Sequence, residues 1–147
     1  MLGNDGIIEG LSSGKIVIDL GTSLPASTKM LGEKIAAKGA GYLDAPMGRT
    51  PSHAREGKLN LMCSGDLSTY EQAKPMLQDI AENVFHLGDL GTGHKIKLMN
   101  NFFGMTIANA MAEAFAMADA LDVDREQLYN VIAAGPLRSQ MMDFGSG

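Results

Sequence analysis

The 147 residues carry 12 Lys and Arg against 17 Asp and Glu, a formal net charge of -5, with 45% hydrophobic and 20% charged side chains. That length makes one ordinary domain or pieces of two, and the composition excludes a disordered or fibrous chain. An acidic balance offers no basic field to a nucleic-acid backbone or an anionic membrane, and one cysteine, Cys63, excludes an internal disulfide framework or a multi-cysteine metal site. No basic and apolar leader follows Met1, so the expected setting is reducing and cytoplasmic, without metal, nucleic-acid or membrane partner.

Residues 15–19 form a short apolar run between Ser13-Gly14 and the turn-forming stretch Gly21 to Pro25, the pattern of a buried parallel strand. Residues 26–38 follow as an amphipathic helix, with Met30, Leu31, Lys34 and Ile35 at helical spacing and Lys38-Gly39 as its stop. Tyr42-Leu-Asp44 reads as a second strand ended by Pro46, which has no N–H for a ladder, and residues 59–63 alternate as a third. Ser68 and Glu71 match a capping box opening a helix over 69–82, which Pro75 should kink or restart. Val84 to Leu87 makes a fourth strand, so the first 90 or so residues read as α/β.

From Gly93 to Leu121 the character changes: no proline occurs, and Met99, Phe102, Phe103, Met105, Ile107, Met111, Phe115 and Met117 run almost all round a helix roughly 40 Å long. Asn109, Glu113 and Asp119 argue against a membrane span. A central helix of an all-α domain is expected, with a further helix over 124–134 and a tail over 139–144. These are few elements to cover so apolar a helix, which points to a partner subunit or to further sequence.

The glycine-rich stretch Gly88-Asp-Leu-Gly91-Thr-Gly93-His-Lys95 fits neither a Walker A loop nor a dinucleotide fingerprint, because the lysine and the third glycine stand at the wrong spacing. It reads as a turn into a helix. On that helix Lys97, Asn100, Asn101 and Gly104 occupy i, i+3, i+4 and i+7, a polar stripe that needs either a polar ligand or a polar neighbour. Asp19 and Asp44 close strands, where α/β sheets place ligands, although helix caps and turns use the same residue at such places. His53, His86 and His94 are too scattered for a metal motif and read as loop or surface residues; Cys63 reads as core. Arg49, between two prolines in the loop from Pro46 to Pro51, is either solvated or held as a fork of donors for an anion.

Three blocks together resemble the 3-hydroxyacid dehydrogenase family: Ile16-Val-Ile-Asp19 with Thr22-Ser23 and Pro25; Asp44-Ala-Pro46 running to Ala54-Arg-x-Gly57; and Gly91-x-Gly93-x-x-x-Lys97-x-x-Asn100-Asn101. The resemblance implies the back part of a Rossmann-type NAD(P)-binding domain over residues 1–91. Over 92–147 it implies the long interdomain helix and first helices of an all-helical substrate and dimerisation domain. It further implies Lys97 as catalytic acid and base, Asn100, Asn101 and Gly104 on the substrate, and Thr22 on the cofactor, NADH or NADPH. The loop Gly48-Arg49-Thr50 corresponds to the segment that holds the substrate anion. Family members usually carry Ser-Gly-Gly there, and the arginine resembles the sulfolactaldehyde-reducing members. Reduction of 3-sulfolactaldehyde to 2,3-dihydroxypropane-1-sulfonate is therefore the first expectation, with a hydroxyisobutyrate or tartronate semialdehyde reductase as the alternative. The family's glycine-rich pyrophosphate loop is not found in the chain, which implies weak cofactor binding by these residues alone; the rival from another class is a non-catalytic fragment serving as an interaction module. A homo-oligomer built through the helical part is implied as well.

Overall fold

The computed structural model describes residues 1–139, which divide into one compact unit over Met1–Leu98 and a second from Met99 onward. In the first unit β1 (Ile16–Asp19) leads to α1 (Pro25–Ala36), β2 (Gly41–Asp44), β3 (Met47–Gly48), the short α2 (Pro51–Arg55), β4 (Leu59–Cys63), α3 (Leu67–Ile80) and β5 (Ala81–His86). The α/β reading of this part and the long helix after it are both observed; α4 runs Thr92–Ala120 and α5 Arg125–Ala133.

Strands β1 and β2 pair in parallel, Ile16 opposite Gly41 and Asp19 opposite Asp44. Beyond Asp44 the chain continues through Ala45-Pro46 into β3, which lies antiparallel to β4 with Met47 opposite Leu61 and Gly48 opposite Asn60. The same register extends back along β4, since Met62 N–H donates to Pro46 O and Asp44 and Ser64 exchange backbone bonds of 3.2 and 2.7 Å. Pro46 can sit inside this continuation because only its carbonyl is needed. Strand β5 adds to the far side of β4 in parallel. Gly48, Arg49 and Thr50 therefore leave the sheet past the carboxyl ends of β1 and β2, the edge at which such sheets bind ligands.

The alternation of β4 turns Leu59, Leu61 and Cys63 onto Tyr70, Ala73 and Leu77 of α3, while Asn60 and Met62 face the other way. Burial pushes the Cys63 thiol up to about 12, as suits a core residue rather than a nucleophile. Ile35 of α1 packs with Ala40, Tyr42 and Val17 on the opposite side.

Several boundaries differ from the sequence pattern. The cap of α3 is Asp66, whose carboxylate accepts from Thr69 N–H at 3.1 Å, rather than Ser68, which lies in the first turn and donates its own hydroxyl to Asp66. Pro75 neither stops nor restarts α3, because it removes only one donor on an exposed face of an otherwise intact helix. The helix ends at Ile80, two residues early, since Ala81 is extended and pairs with Leu59, which lengthens β5. The two-residue β3 and α2 are too short to leave a periodic signal.

In the second unit α5 begins at Asp124, whose carboxylate accepts from Gln127 N–H at 2.9 Å. Phe102, Phe103, Met105 and Leu121 are each more than 60% exposed. Among the described residues no helix is long and apolar enough to cross a membrane. Apart from Ser139, the tail noted over 139–144 lies outside the described residues.

Candidate active site at the start of the long helix

Two strand ends and one helix start meet at Asp44. This carboxylate is fully buried, and its Oδ1 accepts from Gly91 N–H and Ser64 Oγ–H at 2.8 and 2.5 Å, its Oδ2 from His94 N–H at 2.8 Å. Ser64 Oγ in turn accepts from Gly93 N–H at 2.8 Å. The N–H groups that α4 leaves unpaired at and just before its first turn are thus satisfied by side chains from β2 and from the end of β4, a cap supplied from elsewhere in the fold. The carboxylate is also well placed against the positive end of the helix dipole.

The two glycines of the motif have different tasks here. Gly91 adopts φ +91, a left-handed conformation, while directing its N–H at Asp44. At Gly93 the constraint is space: a Cβ would lie 2.0 Å from Met62 O and 2.9 Å from Asp44 Oδ2. Only glycine lets the helix start seat on the strand edge.

That seating fixes where Lys97 stands, one turn along α4. Lys97 is half-buried, and burial lowers its ammonium below the ordinary lysine range. Asn100 and Asn101 follow on the same helix as exposed residues, with Gly104 half-buried. Asn100, Asn101 and Gly104 belong to the second unit, whereas Lys97 belongs to the first.

Across the carboxyl end of β1, Thr22 is exposed in a turn held by Asp19, which accepts from Gly21 N–H at 2.9 Å and Ser23 Oγ–H at 3.2 Å. Tyr42, on β2, has a buried hydroxyl that makes no well-aligned hydrogen bond among the described residues, with the Asp19 carboxylate as its nearby acceptor. Burial, then the carboxylates of Asp19 and Asp44, push it up to about 12. For a nicotinamide nucleotide, these residues fit one end only. The exposed Thr22 can meet the nicotinamide side, but the start of α4 has no N–H to give a pyrophosphate, because Asp44 and Ser64 take those of Gly91, Gly93 and His94. Among the described residues no cluster of His, Cys, Asp and Glu could hold a metal ion.

Gly48, Arg49 and Thr50, which the resemblance assigns to an anion, all have neighbours within the chain. Gly48 is buried beside Asn60 and Met62, and the Thr50 hydroxyl contacts Ser52 Oγ and His53 Nδ1 at 2.8 and 2.7 Å. Arg49 sits at φ +73, unusual for a residue with a side chain. Its guanidinium donates to Lys58 O at 2.8 Å and pairs with Glu82.

His94 corrects the surface reading of the histidines: it is fully buried, with Nδ1 2.7 Å from Thr28 Oγ1. His86 is half-buried and stacked on Tyr70, with Nε2 3.0 Å from Gly65 O. Sequence reasoning left Asp44 open between cap and ligand and missed Ser64 and Thr28 altogether. A small hydroxyl beside a glycine carries no local pattern that marks it as the cap of a helix some 30 residues later.

Comparison with known proteins agrees with this architecture. A model of the NAD binding domain of 6-phosphogluconate dehydrogenase matches residues 1–88, and one for NAD-binding of NADP-dependent 3-hydroxyisobutyrate dehydrogenase matches 91–145. The chain is 34% identical over 123 residues to 3-sulfolactaldehyde reductase of Escherichia coli, covering 84% of this chain and 41% of that protein. It is 32% identical over 131 residues to 3-hydroxyisobutyrate dehydrogenase of Pseudomonas aeruginosa, covering 89% of this chain and 44% of the relative. The crystal structure of 3-hydroxyisobutyrate dehydrogenase from Salmonella typhimurium superposes with a TM-score of 0.84 at 27% identity, covering 95% of this chain and 50% of that one. The chain thus spans half or less of the length of each of these relatives. With both models matched in order along residues 1–88 and 91–145, the chain belongs to the 3-hydroxyacid dehydrogenase family.

Proposed function

We propose that these residues serve an NAD(P)-dependent reductase of small anionic aldehydes, with Lys97 as the proton donor. The observation that carries this reading is the seating of α4: a buried carboxylate and hydroxyl hold its start, and the next turn presents a half-buried lysine whose ammonium is lowered by desolvation. An amine so placed can give and retake a proton closer to neutral pH than a solvated one. When bound, the dihydronicotinamide supplies the hydride. As the carbonyl carbon gains the hydride, its π pair moves to oxygen, and Lys97 Nζ protonates that oxygen; the reverse reaction returns the proton to the neutral amine. Asn100 and Asn101 orient the carbonyl without adding charge, and Gly104 leaves room beside them. Thr22 meets the cofactor, while Gly48, Arg49 and Thr50 hold the substrate anion. The division at residues 91 and 92 separates the nucleotide-binding part from the helical part. The exposed Phe102, Phe103 and Met105 suit burial against a second copy, and the single buried Cys63 suits a reducing cytoplasm.

Among the family's substrates we place 3-sulfolactaldehyde first, on the arginine at position 49 and the likeness to the Escherichia coli reductase. The pairing of Arg49 with Glu82 favours the second reading, a carboxylate substrate of hydroxyisobutyrate or tartronate semialdehyde type, because a guanidinium already neutralised attracts an added anion less. A panel of these aldehydes, assayed in a full-length enzyme carrying this chain, decides between them. Arg49→Gly should raise KM for the sulfonate at least tenfold more than for the carboxylates, the loss of a charged hydrogen bond. Equal losses on both classes would remove the sulfonate assignment.

A further inference from the structure

His94 is fully enclosed, and its ring joins three elements of the first unit: its own helix α4, α1 through Thr28, and the turn after β1 through Gly21. Nε2 lies 3.2 Å from Gly21 O, an atom that only accepts, so Nε2 carries a proton. Nδ1 lies 2.7 Å from Thr28 Oγ1, whose single proton has a second acceptor in Leu24 O at 3.2 Å. A proton on Nε2 satisfies the Gly21 contact whichever way the Thr28 hydroxyl turns. The carboxylates of Asp44 and Asp19 stand 3.7 Å from Nδ1 and 3.9 Å from Nε2 respectively, closing the remaining space around the ring.

This placement is more than filling. Gly21 immediately precedes Thr22, the residue assigned to the cofactor side, and His94 precedes Lys97 by one turn on the helix that Asp44 anchors. Asp19 shapes the Gly21–Ser23 turn through its own two bonds, and its relation to α4 also runs to the His94 ring, 3.9 Å from Oδ2. Among the described residues, the hydrogen bond that joins the turn to α4 runs through the His94 ring.

We propose that His94 is a positioning residue that sets the spacing between the cofactor-side turn at Gly21–Thr22 and the helix bearing Lys97. Its Nε2–H holds the Gly21 carbonyl, and Thr28 fixes the ring so that this bond is made in one orientation. The structural part stands on the geometry of the chain alone; its consequence for the cofactor rests on the function proposed above.

Two substitutions separate the ring's two bonds. In His94→Gln the terminal amide reaches toward the position of Nε2 and keeps a donor for Gly21 O. In His94→Asn the shorter amide falls near Nδ1, keeping Thr28 and losing Gly21. Backbone relaxation of the labelled 147-residue chain should give order parameters near the rigid value of about 0.85 for Gly21, Thr22 and Ser23 in the native chain and in His94→Gln. In His94→Asn they should fall below about 0.6, with the helical amides of α4 unchanged. Should His94→Asn fail to fold, Thr28→Val, which frees the ring without enlarging the site, should lower the same three values. Long-range nitrogen–proton spectra should show the His94 proton on Nε2. A ring protonated on Nδ1 alone, or a turn equally ordered in native and Asn forms, would overturn the proposal. In the full-length enzyme His94→Asn should raise KM for NADH or NADPH about fivefold with kcat within twofold, and His94→Gln should restore it. If the turn loosens as expected while the full-length enzyme reduces none of the aldehydes, the functional reading fails and the positioning role stands; if KM is unmoved in an active enzyme, the positioning role fails.

Discussion

Asp44→Ala should destabilise the first unit by about 3–5 kcal/mol, seen as a fall in the urea midpoint of the chain with little change in slope. The size follows from what the carboxylate holds. Gly91 N–H, His94 N–H and Ser64 Oγ–H all end on it in a site with no exposure, so its removal strands three donors where solvent does not reach. Each orphaned donor costs about 1–3 kcal/mol, less whatever relaxation or an entering water recovers. Asp44→Asn keeps the shape and one acceptor oxygen but sets an NH₂ group against an N–H donor, so its loss should be close to half that of alanine. Ser64→Ala removes one acceptor and one donor and should fall lower still. A loss below about 1 kcal/mol for Asp44→Ala would show that the start of α4 is not held by this cap.

The same cluster shows how far the sequence alone could be read. The α/β order, the long helix and the lysine on it were legible because periodicity and spacing are local properties, and α4 shows its pattern over 29 residues. Capping from Asp66 was hidden by a competing Ser68 and Glu71 pair that satisfied the same rule two residues later; the structure chose the carboxylate, which accepts from Thr69 N–H and from two hydroxyls. Asp44 could be placed at a strand end but not given a role, because its donors come from residues 47 and 50 positions away. His94 was misread for a related reason. A histidine beside glycines looks like loop, and only its contacts with α1 and the turn after β1 reveal that the ring is enclosed.

Arg49 shows the opposite case, a residue whose candidate role was legible and whose present partners were not. Its position past the carboxyl ends of β1 and β2 follows from the unbroken register of β2 and β3 along β4. The partner Glu82 arrives only because β5 begins at Ala81 rather than Val84. An anion competing for that guanidinium must displace a carboxylate half open to water, and such exposed pairs are worth about 0–1 kcal/mol. The pairing is therefore too weak to close the site to a substrate.

Lys97→Ala, in a full-length enzyme carrying this chain, should lower kcat for aldehyde reduction by about 10²–10⁴-fold, the range attributable to one positioned acid. Stability should change by less than about 0.5 kcal/mol, since the side chain is only half-buried and makes none of the bonds that seat α4. Lys97→Arg keeps the charge but not the proton, because a guanidinium does not release one at working pH, and it should not rescue turnover. The pH profile supplies an independent sign. Reduction needs the ammonium form, so its rate should fall as pH rises through the Lys97 pKa; oxidation of the hydroxyacid needs the neutral amine and should rise over the same range. Because burial lowers that pKa, both limbs should lie below the ordinary lysine value of about 10.4. Near-native turnover in Lys97→Ala would remove the lysine from the chemistry. A basic limb left in place after the substitution would assign the titration to another group, and the seating of α4 would then serve the fold alone.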